Sequence, residues 1–238
     1  MSWAVKVTDE YAAWFTALIK EDLPSAVQVA QAVAALREDG PALGRPLVDR
    51  LKDSRIHHLK ELRPGSRGRS EIRIIFRSIR PGLRCYCWVG TKPGTGTAGT
   101  GSAFRSPSSC TTSTPLKDRS EGMPKREPGN WEDLERDLHA AGVSPEEIAA
   151  GARELLAQAR GHQLAETRKK LGVGQKDIAA AMGVTIARVS QIEHGEVTSF
   201  EVIARYVEAL GGRLDLVADF GDHTVRLPVT DTAASAAA

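Results

Sequence analysis

Gly174-Gln175-Lys176-Asp177-Ile178-Ala179-Ala180-Ala181-Met182-Gly183-Val184-Thr185-Ile186-Ala187-Arg188-Val189-Ser190-Gln191-Ile192-Glu193-His194-Gly195 decides the reading of the C-terminal half. Two short apolar periodicities flank one glycine, the pattern of two helices that cross at a steep angle. Such a corner needs a small residue where the helices touch, a glycine in the turn, and apolar residues to hold it. Ala179, Gly183 and Val184, with Val189 and Ile192, supply them.

Thr185 is placed to cap the second helix, leaving its first turn free to enter a DNA major groove while Val189 and Ile192 stay buried. The glutamine opening the first helix, the Gly-Val turn and the run Val189-Ser190-Gln191-Ile192-Glu193-His194-Gly195 resemble the Cro/C1-type (XRE) helix-turn-helix family over residues 155–220. That resemblance implies that Gln175 meets a backbone phosphate, and that Thr185, Ile186, Ala187, Arg188, Gln191 and His194 lie along the groove-facing side. Ile186 departs from the polar residue often found there and favours contact with a thymine methyl. Lys169, Lys170, Lys176 and Arg188 flank the motif with positive charge. One unit reads too little sequence for tight binding, so the expected partner is double-stranded DNA carrying a palindromic operator, bound by a homodimer with half-sites about one helical turn apart.

Outward from this motif, Ser144 and Glu147 form a capping box around Pro145 that opens a long helix expected to reach Leu171, with Gly172 beyond its end. Thr198 and Glu201 form a second box before a helix ending at Leu210. Residues 213–220 and 224–229 read as a hairpin whose Leu214, Leu216 and Ala218 face needs a partner, which a paired subunit supplies. The helical pattern begins at Trp131, and Met123 has the look of an original start of this half.

Towards the N-terminus, residues 3–7 alternate as a strand, and residues 9–20 and 23–39 read as helices, with Pro24 in the first turn of the second. Residues 56–62 and 71–76 read as strands. Trp3-Ala4-Val5, the run from Leu36 to Pro46, and Leu59-Lys60-Glu61-Leu62-Arg63 resemble the HigB branch of the RelE-type toxins, small α+β messenger RNA endonucleases that act at the ribosome. The C-terminal half resembles their HigA antitoxins. The toxin resemblance nominates Lys60 as acid or base and Arg63 and Arg73 as phosphate ligands. His57 and His58 cannot work as a pair on one phosphate, because neighbours on a strand point to opposite faces.

Charge is unevenly shared behind a net +2. Residues 1–80 hold 14 Lys or Arg against 10 acids, and residues 123–238 hold 13 against 18. The two halves are therefore electrostatically complementary, and the basic stretch from Arg45 to Arg80 suits a polyanion or a more acidic partner.

Residues 77–122 are rich in Gly, Thr, Ser and Pro without a periodicity that buries a face, so they are expected to be disordered. Gly94, Gly96 and Gly99 have dinucleotide-fingerprint spacing, but Ser106-Pro107-Ser108-Ser109 follows where a helix is required, and no cofactor is expected. Cys85, Cys87 and Cys110 lack metal-ligand spacing, so no metal site is expected either. Read one base out of frame, with synonymous choices, residues 77–114 give a strand-then-helix pattern like the toxin continuation. This is the mark of a frameshift near Arg77 reversed near Pro115.

The expected fold class is an α+β RelE-like fragment, a disordered middle, and an all-α helix-turn-helix domain with a C-terminal β-hairpin. The expected domains are a toxin fragment (1–76), a frameshifted linker (77–122) and an antitoxin (123–238). No signal pattern or apolar run of bilayer length appears, so a cytoplasmic protein is expected. The expected function is repression of a toxin-antitoxin operon, the toxin part being inactive. The alternative is a tethered ribosome-dependent endoribonuclease.

Overall fold

The computed structural model describes residues 3–51, 59–65, 71–79, 84–92, 129–220 and 223–228. His57, His58, Cys110 and the Gly94 to Gly99 spacing lie outside the described residues. The chain divides into two compact units, residues 1–155 and 156–238.

In the first unit, β1 (Ala4–Val7) leads into α1 (Asp9–Glu21), whose start is fixed by the Thr8 hydroxyl accepting from the Tyr11 amide at 3.2 Å. Asp22 caps α2 (Leu23–Asp39) through the Ser25 amide at 3.1 Å, with Pro24 in its first turn as the sequence suggests. A single 3-10 turn (Gly40–Ala42) follows. Strands β2 (Val48–Arg50), β3 (Leu59–Leu62), β4 (Glu71–Ile79) and β5 (Arg84–Lys92) then form an antiparallel run. β6 (Gly129–Asn130) leads directly into α3 (Trp131–Ala140).

The sheet order is β2-β3-β4-β5-β1-β6, with β1 parallel to β5 and antiparallel to β6. Val5, Val7, Leu62, Ile72, Ile74 and Phe76 from the sheet are buried, as are Tyr11, Phe15, Val29, Val33 and Leu36 from the helices. Four alanines of α2 are also fully buried, and their small side chains allow the close approach that larger ones would block.

One correction concerns the middle of the chain. Disorder was expected throughout residues 77–122, yet β4 continues to Ile79 and β5 occupies residues 84–92. Within the Gly- and Ser-rich stretch, Arg84-Cys85-Tyr86-Cys87-Trp88-Val89 is a short, mostly apolar run whose Tyr, Trp and Val favour strands, and it pairs with strands on both sides. Residues 129–155, placed by sequence in the C-terminal half, belong to the first compact unit.

α4 (Pro145–Lys170) spans the division between the units, its start capped by the Ser144 hydroxyl accepting from the Glu147 amide at 3.1 Å. Then come α5 (Gln175–Met182), α6 (Ile186–Glu193), α7 (Phe200–Ala209) and a hairpin of β7 (Asp215–Asp219) with β8 (Thr224–Pro228). A second correction falls at α7. Its cap is Ser199 rather than Thr198, and the Ser199 hydroxyl donates to the Glu201 carboxylate at 3.3 Å instead of accepting from the backbone. Among the described residues, no helix is long and apolar enough to cross a membrane.

Candidate nucleic-acid interface

The corner of α5 and α6 closes over Ile178, Ala179, Met182, Val189 and Ile192, with Tyr206 of α7 buried against them. Gly183 ends α5 in the left-handed conformation at φ 64°, which glycine adopts without steric cost. Thr185 caps α6 as its spacing predicts, the hydroxyl accepting from the Arg188 amide at 3.2 Å. Arg205 of α7 donates to the Met182 carbonyl and ties the third helix to the corner.

Burial sorts α6 into two faces. Val189 and Ile192 are buried, whereas Thr185, Ile186, Ala187, Arg188, Gln191 and His194 are all exposed. The exposed set is partly organised before any ligand arrives: Arg188 donates to the Gln191 side chain at 3.1 Å, and the His194 ring nitrogen Nδ1 lies 2.7 Å from the Ser190 carbonyl. Ile186 stands half exposed at 49%, as an apolar side chain awaiting a contact would.

Sequence reasoning missed what holds this face in place. The Glu193 carboxylate, at the end of α6, accepts from Arg168 of α4 through Nε at 2.6 Å and Nη2 at 2.9 Å. It also accepts from the Gln175 amide at 2.8 Å and from the Tyr206 hydroxyl at 2.7 Å. Arg168 gives a further hydrogen bond to the Val173 carbonyl at 2.9 Å. Burial pushes the Glu193 carboxyl up, but the hydrogen bonds from Arg168, Tyr206 and Gln175 outweigh it and hold the group below its ordinary value. The Tyr206 hydroxyl is driven well above the ordinary tyrosine range by burial and by the neighbouring carboxylate. Gln175, nominated for a phosphate, is half-buried with its amide nitrogen engaged at Glu193.

Two glycines let α4 lie against the end of α6. A Cβ on Gly161 would stand 2.6 Å from the Glu193 carbonyl oxygen and 2.7 Å from the Gly195 nitrogen. One on Gly195 would stand 2.4 Å from the Ala157 carbonyl. Both obstacles are backbone, which cannot rotate aside. Gly161→Ala is therefore expected to loosen the seam at a cost of about 1–3 kcal/mol, visible as faster hydrogen exchange in α6 than in β1 and α1.

The helix-turn-helix family matches residues 164–217. HigA3 of Mycobacterium tuberculosis, named as an antitoxin, is 47% identical over 102 residues, which are 41% of this chain and 94% of HigA3. The chain belongs to the HigA antitoxin family. The structure described as DNA-bound antitoxin HigA3 is 48% identical, covering 29% of this chain and 91% of that one, with a TM-score of 0.27. A second likeness reaches the toxin class. HigB2 of the same organism, named as a toxin, is 46% identical over 76 residues, 32% of this chain. This chain spans only 36% of HigB2, and the two likenesses together unite a HigA-type sequence with a HigB-like part.

In that HigB-like part, the structure brings two of the three nominated cations together. Arg63 and Arg73 both reach the Glu61 carboxylate, at 3.3 and 3.1 Å. Arg63 also lies 3.4 Å from Asp49, whose carboxyl is held low chiefly by the Arg45 guanidinium. Lys60 is set apart, its ammonium donating to the Pro41 carbonyl.

Proposed function

We propose that this chain is a sequence-specific DNA-binding transcriptional regulator of the HigA type, acting in the cytoplasm as a homodimer on a palindromic operator to repress a toxin-antitoxin operon. The observation that carries the proposal is the two-faced α6, with all six nominated side chains exposed and its apolar face locked into the corner. Arg188 and Gln191 have the donors and acceptors to read base edges, Thr185, Ala187 and Ile186 suit methyl groups, and His194 suits the groove edge. Gln175 meets a phosphate through the amide geometry that Glu193 fixes. The hairpin offers an apolar surface for the second subunit on the face that Leu216 and Ala218 share with their cross-strand partners Leu227 and Val225, which are 48% and 38% exposed.

Binding of the chain to its own upstream region, followed by mobility shift, is expected to weaken steeply with salt. Arg188→Ala is expected to cost about 1–3 kcal/mol of affinity and to relax preference at the base pair it contacts. A full-length protein that ignores its upstream region at low ionic strength overturns the reading.

We read the N-terminal part as a fragment of a toxin (residues 1–76), joined by a frameshifted segment (77–122) to the regulator (123–238). Peptide mass across residues 77–114, with the gene resequenced, tests the frameshift. The alternative, a ribosome-dependent messenger RNA endoribonuclease using Lys60, Arg63 and Arg73, is disfavoured because Glu61 and Asp49 already neutralise the arginines a phosphate would need. Expression of the full chain is expected to leave growth and messenger RNA intact.

A further inference from the structure

We propose that β6 and α3 form the toxin-recognition element of the regulator, and that the fused N-terminal part occupies this element in cis. The inference rests on reading Met123 as the start of the HigA-type half, which makes residues 129–140 its first described segment.

Three contacts of different chemistry meet there. β6 extends the sheet along the outer edge of β1, with Asn130 opposite Lys6 and Gly129 opposite Val7, and Lys6 donates to the Asn130 side chain. Trp131, the first residue of α3, is fully buried, its rings 5.0 Å from Phe15 and 6.4 Å from Tyr11. Arg37 of α2 forms ion pairs with Glu132 and Glu135, each at 3.2 Å.

Trp131, Leu134 and Leu138 fall on one helix face and are all buried. A regulator half standing alone would expose that face to water. The partner it fits has a free sheet edge that accepts an antiparallel strand, an aromatic helix face and an arginine beside it, and in this chain residues 1–92 provide all three. A central aromatic anchor ringed by charge pairs is the usual anatomy of a recognition hot spot. The sign of the charges agrees, a basic first 80 residues meeting an acidic second half.

β6 lies at one edge of the sheet, and β1, β5 and β4 separate it from the strand bearing Lys60. The element therefore grips the fragment without sitting on the strand with the nominated catalytic lysine. Because the two surfaces belong to one chain, their pairing is intramolecular, and covalently linked surfaces can meet at effective concentrations on the order of a millimolar, enough to exclude a separate toxin present at far lower levels. The regulator thus carries a filled toxin site.

The test uses the full chain with a specific protease site inserted within residues 93–128, cut after purification. The two pieces are expected to co-elute on gel filtration. A synthetic peptide of residues 125–144 is expected to displace the C-terminal piece from the cut protein, and to need at least roughly tenfold more to engage the uncut chain. Arg37→Glu should weaken the cut complex by at least roughly tenfold, and adding Glu132→Arg with Glu135→Arg should restore it. Separation of the wild-type pieces on cutting, or charge reversal without rescue, overturns the proposal. Operator binding is measured on the same samples: its loss with the pieces still joined counts against the regulator reading and leaves the docking intact.

Discussion

Glu193→Ala is expected to destabilise the helix-turn-helix unit by about 3–5 kcal/mol, because it leaves the Arg168 guanidinium buried without its counter-charge. Tyr206 and Gln175 lose their acceptor in the same step. That cost is a large share of the roughly 5–15 kcal/mol that holds a domain together. Hydrogen exchange followed by mass spectrometry should show α5, α6 and α7 opening together. Tryptophan fluorescence provides an internal control, since Trp3, Trp14, Trp88 and Trp131 all precede residue 156 and report the first unit. Replacing both partners with apolar residues, Arg168→Met with Glu193→Leu, should recover most of the loss, because the penalty comes from the stranded charge rather than from the absence of the pair.

The same carboxylate sets an acid limit. Its folded pKa lies below the ordinary 4.5, so the ionised form favours the folded state. That contribution is fully present above about pH 4.5 and is lost as pH falls through the lowered folded value. Unfolding measured between neutral pH and pH 3 should show this acid limb in the wild type and a shallower one in Glu193→Gln.

Trp131→Ala is the second change with a large expected effect, about 3–5 kcal/mol on the first unit. It removes the largest fully buried side chain among the described residues and opens a cavity between α1 and α3. Trp131→Phe should cost far less. The indole N–H has no hydrogen-bond partner among the described residues, so its removal relieves an unpaired buried donor and offsets part of the lost contact area. Thermal unfolding of the three proteins, with exchange in β1 and α1 as the local measure, checks the order wild type, Phe, Ala. If Ala and Phe melt together, the buried ring contacts carry no special weight.

Much of the regulator was legible because its determinants are local. Gly183, Thr185, Val189 and Ile192 sit within ten residues of one another, and helical periodicity converts their spacing directly into a buried face and a capped, exposed turn. The Glu193 hub was not legible. Its donors lie 13, 18 and 25 residues away, and a glutamate in a helix rich in exposed polar groups reads as solvated until tertiary packing encloses it. β6 is two residues long, too short for any alternation, and its partner strand lies more than 120 residues earlier in the chain. β5 was obscured by the glycines and serines on either side, although its own short apolar run with Tyr86, Trp88 and Val89 carried the information. Of the nominated DNA-facing positions, Thr185 to Arg188, Gln191 and His194 are exposed, while Gln175 is half-buried because Glu193 holds its amide; Lys60, next to Glu61 on β3, is held instead by the Pro41 carbonyl of the 3-10 turn.

With Glu193 clamped from α4, α5 and α7 at once, the reading helix has little freedom to swivel on its own. It meets a duplex with its pitch already set, so association spends little entropy on ordering protein. Any misfit must then be absorbed by the double helix itself, and base steps that yield easily would be favoured even where no side chain touches them.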